Sequence, residues 1–387
     1  MTRVYGTDII DQMAEAILRG DLDQRPADIN DPEGRQVVLT WASEIEMRPT
    51  YWLWQSRMPL GELTLLAGRE GIGKSTVAFQ LAAWITRGTM KGEFIGHPKR
   101  VIIAATEDSW ESTIVPRLKG AGADLSMVAR CEVVTKAGTH GTLVLPKDVA
   151  ALRAAIVTND VKLLLLDPLM SRLSSKLDSY RDAEVRQALE PLTDLAKAAG
   201  CAVLGLIHVN KSAGTDPLNA IMGSRAFPAV ARAVLVAMKD PLDETRCLLG
   251  LEKSNLGSTS AVPTYVYEVV AEKVAEFEGK DIITGVVHWL GDSAKSIRET
   301  MENAAIGEDG SSVDEAAAWL EDYLTDAARK NVSPVASADV RRAAGAAGIN
   351  LSALQRARKR LDVHVTQSGF PRTSSWELGG RKEVPFK

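Results

Sequence analysis

Thr64-Leu-Leu-Ala-Gly-Arg-Glu-Gly-Ile-Gly-Lys-Ser-Thr76 decides the fold. A short apolar run stops at Gly68 and apolar residues resume after Lys74, which predicts a strand, a tight loop and a helix in succession. The spacing Gly68, four residues, Gly73, Lys74, Ser75 is a full Walker A match. Gly71 and Gly73 let the backbone curl with its N–H groups inward, where they can accept a phosphate chain without a side chain in the way. Lys74 is expected to reach the β- and γ-phosphates, and Ser75 or its neighbour Thr76 to ligate Mg²⁺. The whole loop, Gly68, Arg69, Glu70, Gly71, Ile72, Gly73, Lys74, Ser75 and Thr76, is therefore assigned to nucleotide binding. A helix from Ser75 carries Val77, Ala78, Leu81, Ala82 and Trp84 toward the core and adds the field of its N-terminus to the site.

Outward from this loop, further apolar runs end in polar tips. Arg100 to Ala105 reads as a buried parallel strand and ends in Thr106-Glu107-Asp108-Ser109. A carboxylate at the C-terminal tip of a parallel strand shares the face on which the phosphate loop lies. Glu107 is placed to deprotonate the attacking water, with Asp108 and Ser109 as caps of the following helix. Arg117, on that helix, reads as half of a structural ion pair. A third core strand is predicted near Ala129 to Val134 and a helix over Asp148 to Asn159. Val161 to Leu166 is a second buried run, stopped by Asp167-Pro168; four leucines followed by an acid describe a Walker B strand whose aspartate holds Mg²⁺. Glu184 to Ala199 has helical spacing, and Cys201 to Ile207 is another buried strand, ending at His208. A histidine there can sense the γ-phosphate or serve the core. Three more strands are predicted, from Ala233 to Ala237, Cys247 to Leu251 and Pro263 to Val270.

The flanks are less regular. Thr7 to Arg19 reads as a helix in an arm, residues 1–49. Tyr51, Trp52 and Trp54 form either a hydrophobic clasp over the first core strand or a surface for adenine stacking. Residues 292–312 read as a linker with one short helix. Helices over Val313 to Leu324, Ser337 to Gly348 and Ala353 to Leu361, then strands at Val363 to Val365 and Ser374 to Leu378, fill residues 313–387. The third of these helices carries Arg356, Arg358, Lys359 and Arg360.

Composition bounds the function. The 387 residues, 45% of them hydrophobic, suit one large and one small domain. Three cysteines without ligand spacing point to a reducing cytoplasm and no structural zinc. No apolar window is long enough to span a bilayer, and a net charge of −4 does not advertise nucleic-acid binding, although a basic patch can be local.

Taken together, GREGIGKST at 68–76, AATEDS at 104–109, LLLLDPL at 163–169, LIHVNKS at 206–212, MGSRAF at 222–227 and EKSN at 252–255 resemble the RecA-like hexameric replicative helicases, especially the plasmid replication helicases and their phage relatives. The resemblance covers roughly residues 50–290. It implies an α/β fold: a RecA-like P-loop NTPase core with a mostly parallel sheet over residues 50–291; separately, the three helices and two strands over residues 313–379 resemble a winged helix, which makes residues 313–387 a small winged-helix-like domain. It further implies ATP and Mg²⁺ as cofactors, Glu107 as the catalytic glutamate and His208 as the histidine coupling nucleotide state to DNA-facing loops. Arg232 corresponds in place to an arginine finger given in trans, with Arg225 the runner-up and Lys253 projecting toward a neighbour's nucleotide. The partners implied are further copies in a hexameric ring, single-stranded DNA, and replication proteins through the C-terminal domain. Relatives more often carry paired histidines or a glutamine where this chain has His208-Val209. The alternative is a RecA-like ATPase that remodels or recruits proteins; a P-loop kinase is disfavoured because no lid or acceptor pocket can be identified.

Overall fold

The computed structural model describes residues 38–136, 138–210, 216–241, 243–306, 310–368 and 373–378. The helix expected over Thr7 to Arg19 lies outside them. Residues 38–49, part of a unit of their own, carry one 3-10 turn, Ala42–Glu44.

The large unit opens with a short hairpin, β1 (Trp52–Trp54) and β2 (Met58–Pro59), then the first central strand β3 (Leu63–Gly68) and helix α1 (Lys74–Thr86). Next come β4 (Arg100–Ala105), a π-turn and α2 (Val115–Gly120), then β5 (Val128–Arg130) and the small hairpin β6 (Val133–Val134) and β7 (His140–Gly141). Helix α3 (Val149–Thr158), β8 (Val161–Asp167), α4 (Asp182–Ala199), β9 (Ala202–His208) and α5 (Ala226–Val230) follow in alternation. The chain then turns antiparallel through β10 (Ala233–Asp240), β11 (Asp243–Ser254), β12 (Thr264–Phe277) and β13 (Lys280–Ser293). Helix α6 (Ile297–Ile306) leads to α7 (Gly310–Arg329), β14 (Val335–Ala336), α8 (Ser337–Ala346), α9 (Leu351–Arg360), β15 (His364–Ser368) and β16 (Thr373–Glu377).

Nine strands form one sheet in the order β13-β12-β11-β10-β3-β9-β8-β4-β5. The pairings from β10 to β5 are all parallel, and those from β10 to β13 antiparallel. The leucine run explains why the parallel half is central. Leu163 and Leu165 join the apolar cluster of α1 and α2, whereas Leu164 and Leu166 join that of α3 and α4. Side chains alternate faces along a strand, so a sheet covered by helices on both sides needs apolar residues at every position.

The antiparallel half is longer than expected. The strand predicted over Pro263 to Val270 runs to Phe277, and its partner β13 was not anticipated. Two positive-φ residues, Glu278 and Gly279, close this hairpin in the manner of a tight two-residue turn. Helix α2 packs against this hairpin: a Cβ at Gly120 would meet Val286 Cγ2 at 2.8 Å and Val274 Cγ1 at 3.0 Å. The stretch 292–312 carries α6, docked through a fully buried Ile297.

At the C-terminal end, α7, α8 and α9 contain the three helices expected there, and β14-β16-β15 form an antiparallel sheet against them. Leu320, Leu324, Val340, Leu354 and Trp376 build a separate apolar cluster. The Asn350 side chain caps α9 by accepting from the Ser352 N–H, as its sequence invites.

Candidate active site

Parallel register brings four tips to one edge. Gly68 pairs with His208 on one side and Ala237 on the other, and Ala105 pairs with Asp167. Gly68 is a matter of space, since a Cβ there would stand 2.7 Å from the Ala237 carbonyl oxygen. Gly73 is a matter of both space and conformation. Its φ is 84°, and an added Cβ would meet Val269 Cγ2 at 2.9 Å.

The loop leads directly into α1, so Lys74 is its first residue and only 8% exposed. Its ammonium donates to the Arg69 carbonyl at 2.9 Å and lies 3.3 Å from His208 Nδ1. Burial lowers the Lys74 pKa, while Asp167, Glu70 and Glu107 pull it back up. His208 is likewise held below its usual value, first by burial and then by the adjacent ammonium. The imidazole therefore stays neutral and offers Nδ1 as an acceptor. Asp167 is shifted the other way: burial raises it, opposed by a hydrogen bond from the Ser75 hydroxyl and by Lys74.

These groups share a cleft of ≈ 260 Å³ with Glu70, Gly71, Gly73, Thr76 and Glu107. Glu107 is exposed at the tip of β4, where the Thr106 N–H reaches the Asp167 carbonyl at 3.3 Å. Ser109 caps the turn after it, accepting from the Ser112 N–H. Asp108 does not share that capping role; it pairs with Arg117 at 2.7 Å, and both line the cleft. Arg117 was expected only as an ion-pair partner, and its place on the cleft wall had no signal in a residue nine positions along the chain.

Ser75 and Asp167 offer hard oxygen donors already joined by a hydrogen bond. Mg²⁺ is commonly held this way, by one or two protein oxygens plus phosphates and water. Among the described residues no group of three or more His, Cys, Asp or Glu side chains could cage a metal. The donor set fits Mg²⁺ in that shared mode.

The cations expected to act between copies lie elsewhere. Arg232 donates its N–H to the Leu63 carbonyl, at the opposite end of β3 from Gly68 and about 16 Å from it at ~3.3 Å per residue. Its side chain approaches Glu62 at 3.7 Å. Arg225 is exposed at the start of α5. Lys253 corrects the expectation that it projects outward. Its ammonium donates to the carbonyls of Pro228 (2.6 Å), Ala229 (3.3 Å) and Ala231 (2.8 Å), closing the end of α5 where carbonyls lack helical partners.

One contributor was invisible in the sequence. The buried Tyr267 on β12 donates its hydroxyl to the Ile72 carbonyl at 2.9 Å, tying the antiparallel half to the phosphate loop. The aromatic segment at 51–54 is a clasp: Trp54 stacks on Tyr265 at 6.0 Å and meets Trp84 edge-on at 6.1 Å.

Residues 26–214 match a family model described as AAA domain. No curated protein matches the chain. An AAA-type P-loop NTPase domain is thus present, consistent with the broad RecA-like ATPase superfamily, and its mixed α/β core with a nine-stranded sheet matches that fold. Such domains bind ATP with Mg²⁺ and hydrolyse it. Among the described residues no helix is long and apolar enough to cross a membrane.

Proposed function

We propose that this chain is a DNA-dependent ATPase that assembles into a hexameric ring and translocates on single-stranded DNA as a replicative helicase. The supporting observation is the charge balance of the cleft. Two cations, Lys74 and Arg117, face four carboxylates, Glu70, Glu107, Asp108 and Asp167. A triphosphate adds more negative charge, and Mg²⁺, held by Ser75 and Asp167, supplies charge neutralisation at the phosphates when bound. A further cation from a second copy completes the balance, and Arg232 is its first candidate, Arg225 its second. Within one copy, Lys74 leaves His208 to grip the phosphates, Glu107 takes the proton of the attacking water, and His208 relays the change to the loop after β9.

The C-terminal unit is winged-helix-like in element order, and its basic α9 is suited to strand or protein contact. One observation favours a protein-recruiting role for this unit. Arg358 lies over the Trp376 ring at 5.3 Å and Arg360 pairs with Asp314, so both of these α9 cations are engaged within the unit.

ATP turnover measured against oligothymidylate separates the readings. The helicase reading expects turnover to rise several-fold with the strand and to vanish in Lys74→Ala. Turnover that ignores the strand at every concentration favours a remodelling ATPase. Arg232→Ala is expected to bind ATP but lose roughly 10³-fold in hydrolysis. Mixing it with Lys74→Ala, which still carries the arginine, is expected to recover part of that loss; no recovery in any mixture excludes Arg232 as the residue given in trans.

A further inference from the structure

Beside the phosphate cleft, across the Thr106–Asp108 tip of β4, lies a second cavity of ≈ 320 Å³. Thr106, Asp108, Trp110, Arg130, Cys131 and Arg172 wall it. Arg172 is 3% exposed. Its guanidinium donates to the Thr106 hydroxyl at 2.6 Å, and its Nε has no hydrogen-bond partner. Among the described residues no carboxylate stands within ion-pair distance of it.

That combination is costly. Arginine is almost never fully buried unless paired, and an uncompensated buried ion carries a penalty of several kcal/mol. The other charged side chains on the wall already have polar partners. Asp108 pairs with Arg117 at 2.7 Å and Glu132 with Arg130 at 2.8 Å, while Glu111 accepts from the Ser109 hydroxyl. Arg172 is the buried cation among them, and its side-chain partner is a hydroxyl, not a carboxylate. Burial draws its pKa below the usual guanidinium value, against the fields of Cys131 and Glu107. A guanidinium offers five donors in a planar fork, suited to the oxygens of a phosphate, and here it donates to a neutral hydroxyl.

We propose that this cavity is a phosphate-binding site distinct from the loop before Ser75, and that it receives the orthophosphate released by ATP hydrolysis on the other side of Glu107. The source of the ion rests on the ATPase reading; the site itself does not. Arg172 supplies the charge, and the Thr106 hydroxyl holds the fork at the strand tip that also carries Glu107. A phosphate there neutralises the buried cation and sits one residue from the carboxylate that activates water. Its departure is then a separate step from hydrolysis.

The test is equilibrium dialysis of the full chain with radiolabelled inorganic phosphate, without nucleotide. Lys74→Ala weakens capture by the phosphate loop, so binding that persists in this variant reports the second site. Adding Arg172→Gln is expected to weaken it at least tenfold. Absence of binding in Lys74→Ala, or binding indifferent to Arg172→Gln, overturns the proposal. Since Arg172→Gln can disturb folding, Cys131→Asp gives an independent check. It places a carboxylate on the same wall as the guanidinium, and phosphate binding is expected to disappear while the melting temperature holds or rises. Phosphate retained by a folded Cys131→Asp protein overturns the assignment. Oligothymidylate separates the two sources of a phosphate group. Failure to displace orthophosphate supports a product site; displacement that depends on Arg172 makes the cavity a strand contact and overturns the product assignment. Because the dialysis involves no turnover, a chain that proved unable to hydrolyse ATP would lose the source of the ion while the site was still judged on binding alone.

Discussion

The two halves of the sheet meet the phosphate loop in opposite ways. On the parallel side, β4, β8 and β9 end in Glu107, Asp167 and His208, and burial pushes Lys74, Asp167 and His208 away from their ordinary titration. On the antiparallel side, Tyr265, Tyr267 and Trp289 pack with Trp54 and Trp84, ring centroids 5.4 to 6.1 Å apart. Arg57 covers two of these rings and donates to the Pro263 carbonyl at 2.9 Å. Clustering charge at buried tips destabilises a fold, whereas aromatic pairs contribute roughly 0.5–1.5 kcal/mol each beyond burial. Chemistry and support are thus divided between neighbouring strands, and Tyr267 to Ile72 is where they touch.

The largest effect should come from the charged side. Glu107→Gln keeps the shape of the strand tip but removes the proposed base, so single-turnover hydrolysis is expected to fall about 10²–10⁴-fold. Affinity for a non-hydrolysable ATP analogue should change little. A variant that loses affinity and rate together would mean that Glu107 supports the cleft rather than the chemistry.

A smaller, differently shaped effect belongs to the aromatic side. Burial pushes the Tyr267 hydroxyl far above the ordinary tyrosine range, so it stays a donor at any working pH. Tyr267→Phe leaves the ring in place and the Ile72 carbonyl without that bond. The net value of one such bond, about 1 kcal/mol, corresponds to roughly fivefold in nucleotide affinity. The expected outcome is a KM for ATP raised by about that factor with kcat at saturation unchanged. A drop in kcat matching that of Glu107→Gln would erase the division between the two sides.

That division also governed what could be foreseen. Buried parallel strands announce themselves because runs such as Leu163 to Leu166 must be apolar throughout and the tips must be polar. The loop at 68–76, Glu107, Asp167 and His208 could be placed from such runs and from motif spacing. The hairpin of β12 and β13 is half-exposed, and Glu268, Glu272 and Lys273 interrupt its apolar residues. Its local signal is Glu278-Gly279, a turn pair between two segments whose apolar residues are interrupted by charge. Tyr267 and Lys253 had no local signal. Which carbonyl each side chain reaches depends on elements distant in sequence or on which end of a helix faces a strand, and spacing encodes neither. Arg117 shows the intermediate case: its partner Asp108 is nearby in sequence, but the cleft that both line exists only once β4 and β8 pair.

The smallest expected effect tests the contact between Lys74 and His208. His208 titrates below its unfolded value of 6.5 because burial and the ammonium both oppose a second positive charge. Below that unfolded pKa, the unfolded chain binds a proton that the folded chain refuses, so the contribution of His208 to stability is complete above pH 6.5 and is lost as pH falls toward the folded pKa. A protonated ring would also surrender the acceptor that Lys74 now uses, releasing the ammonium at 3.3 Å from a like charge. His208→Gln keeps an acceptor without the titration. Melting temperatures of the nucleotide-free chain should therefore fall less between pH 7 and pH 5 in His208→Gln than in the wild-type protein. Parallel curves over that interval would show that His208 protonation is not linked to folding, and that the neutral Lys74–His208 contact does not hold the empty loop.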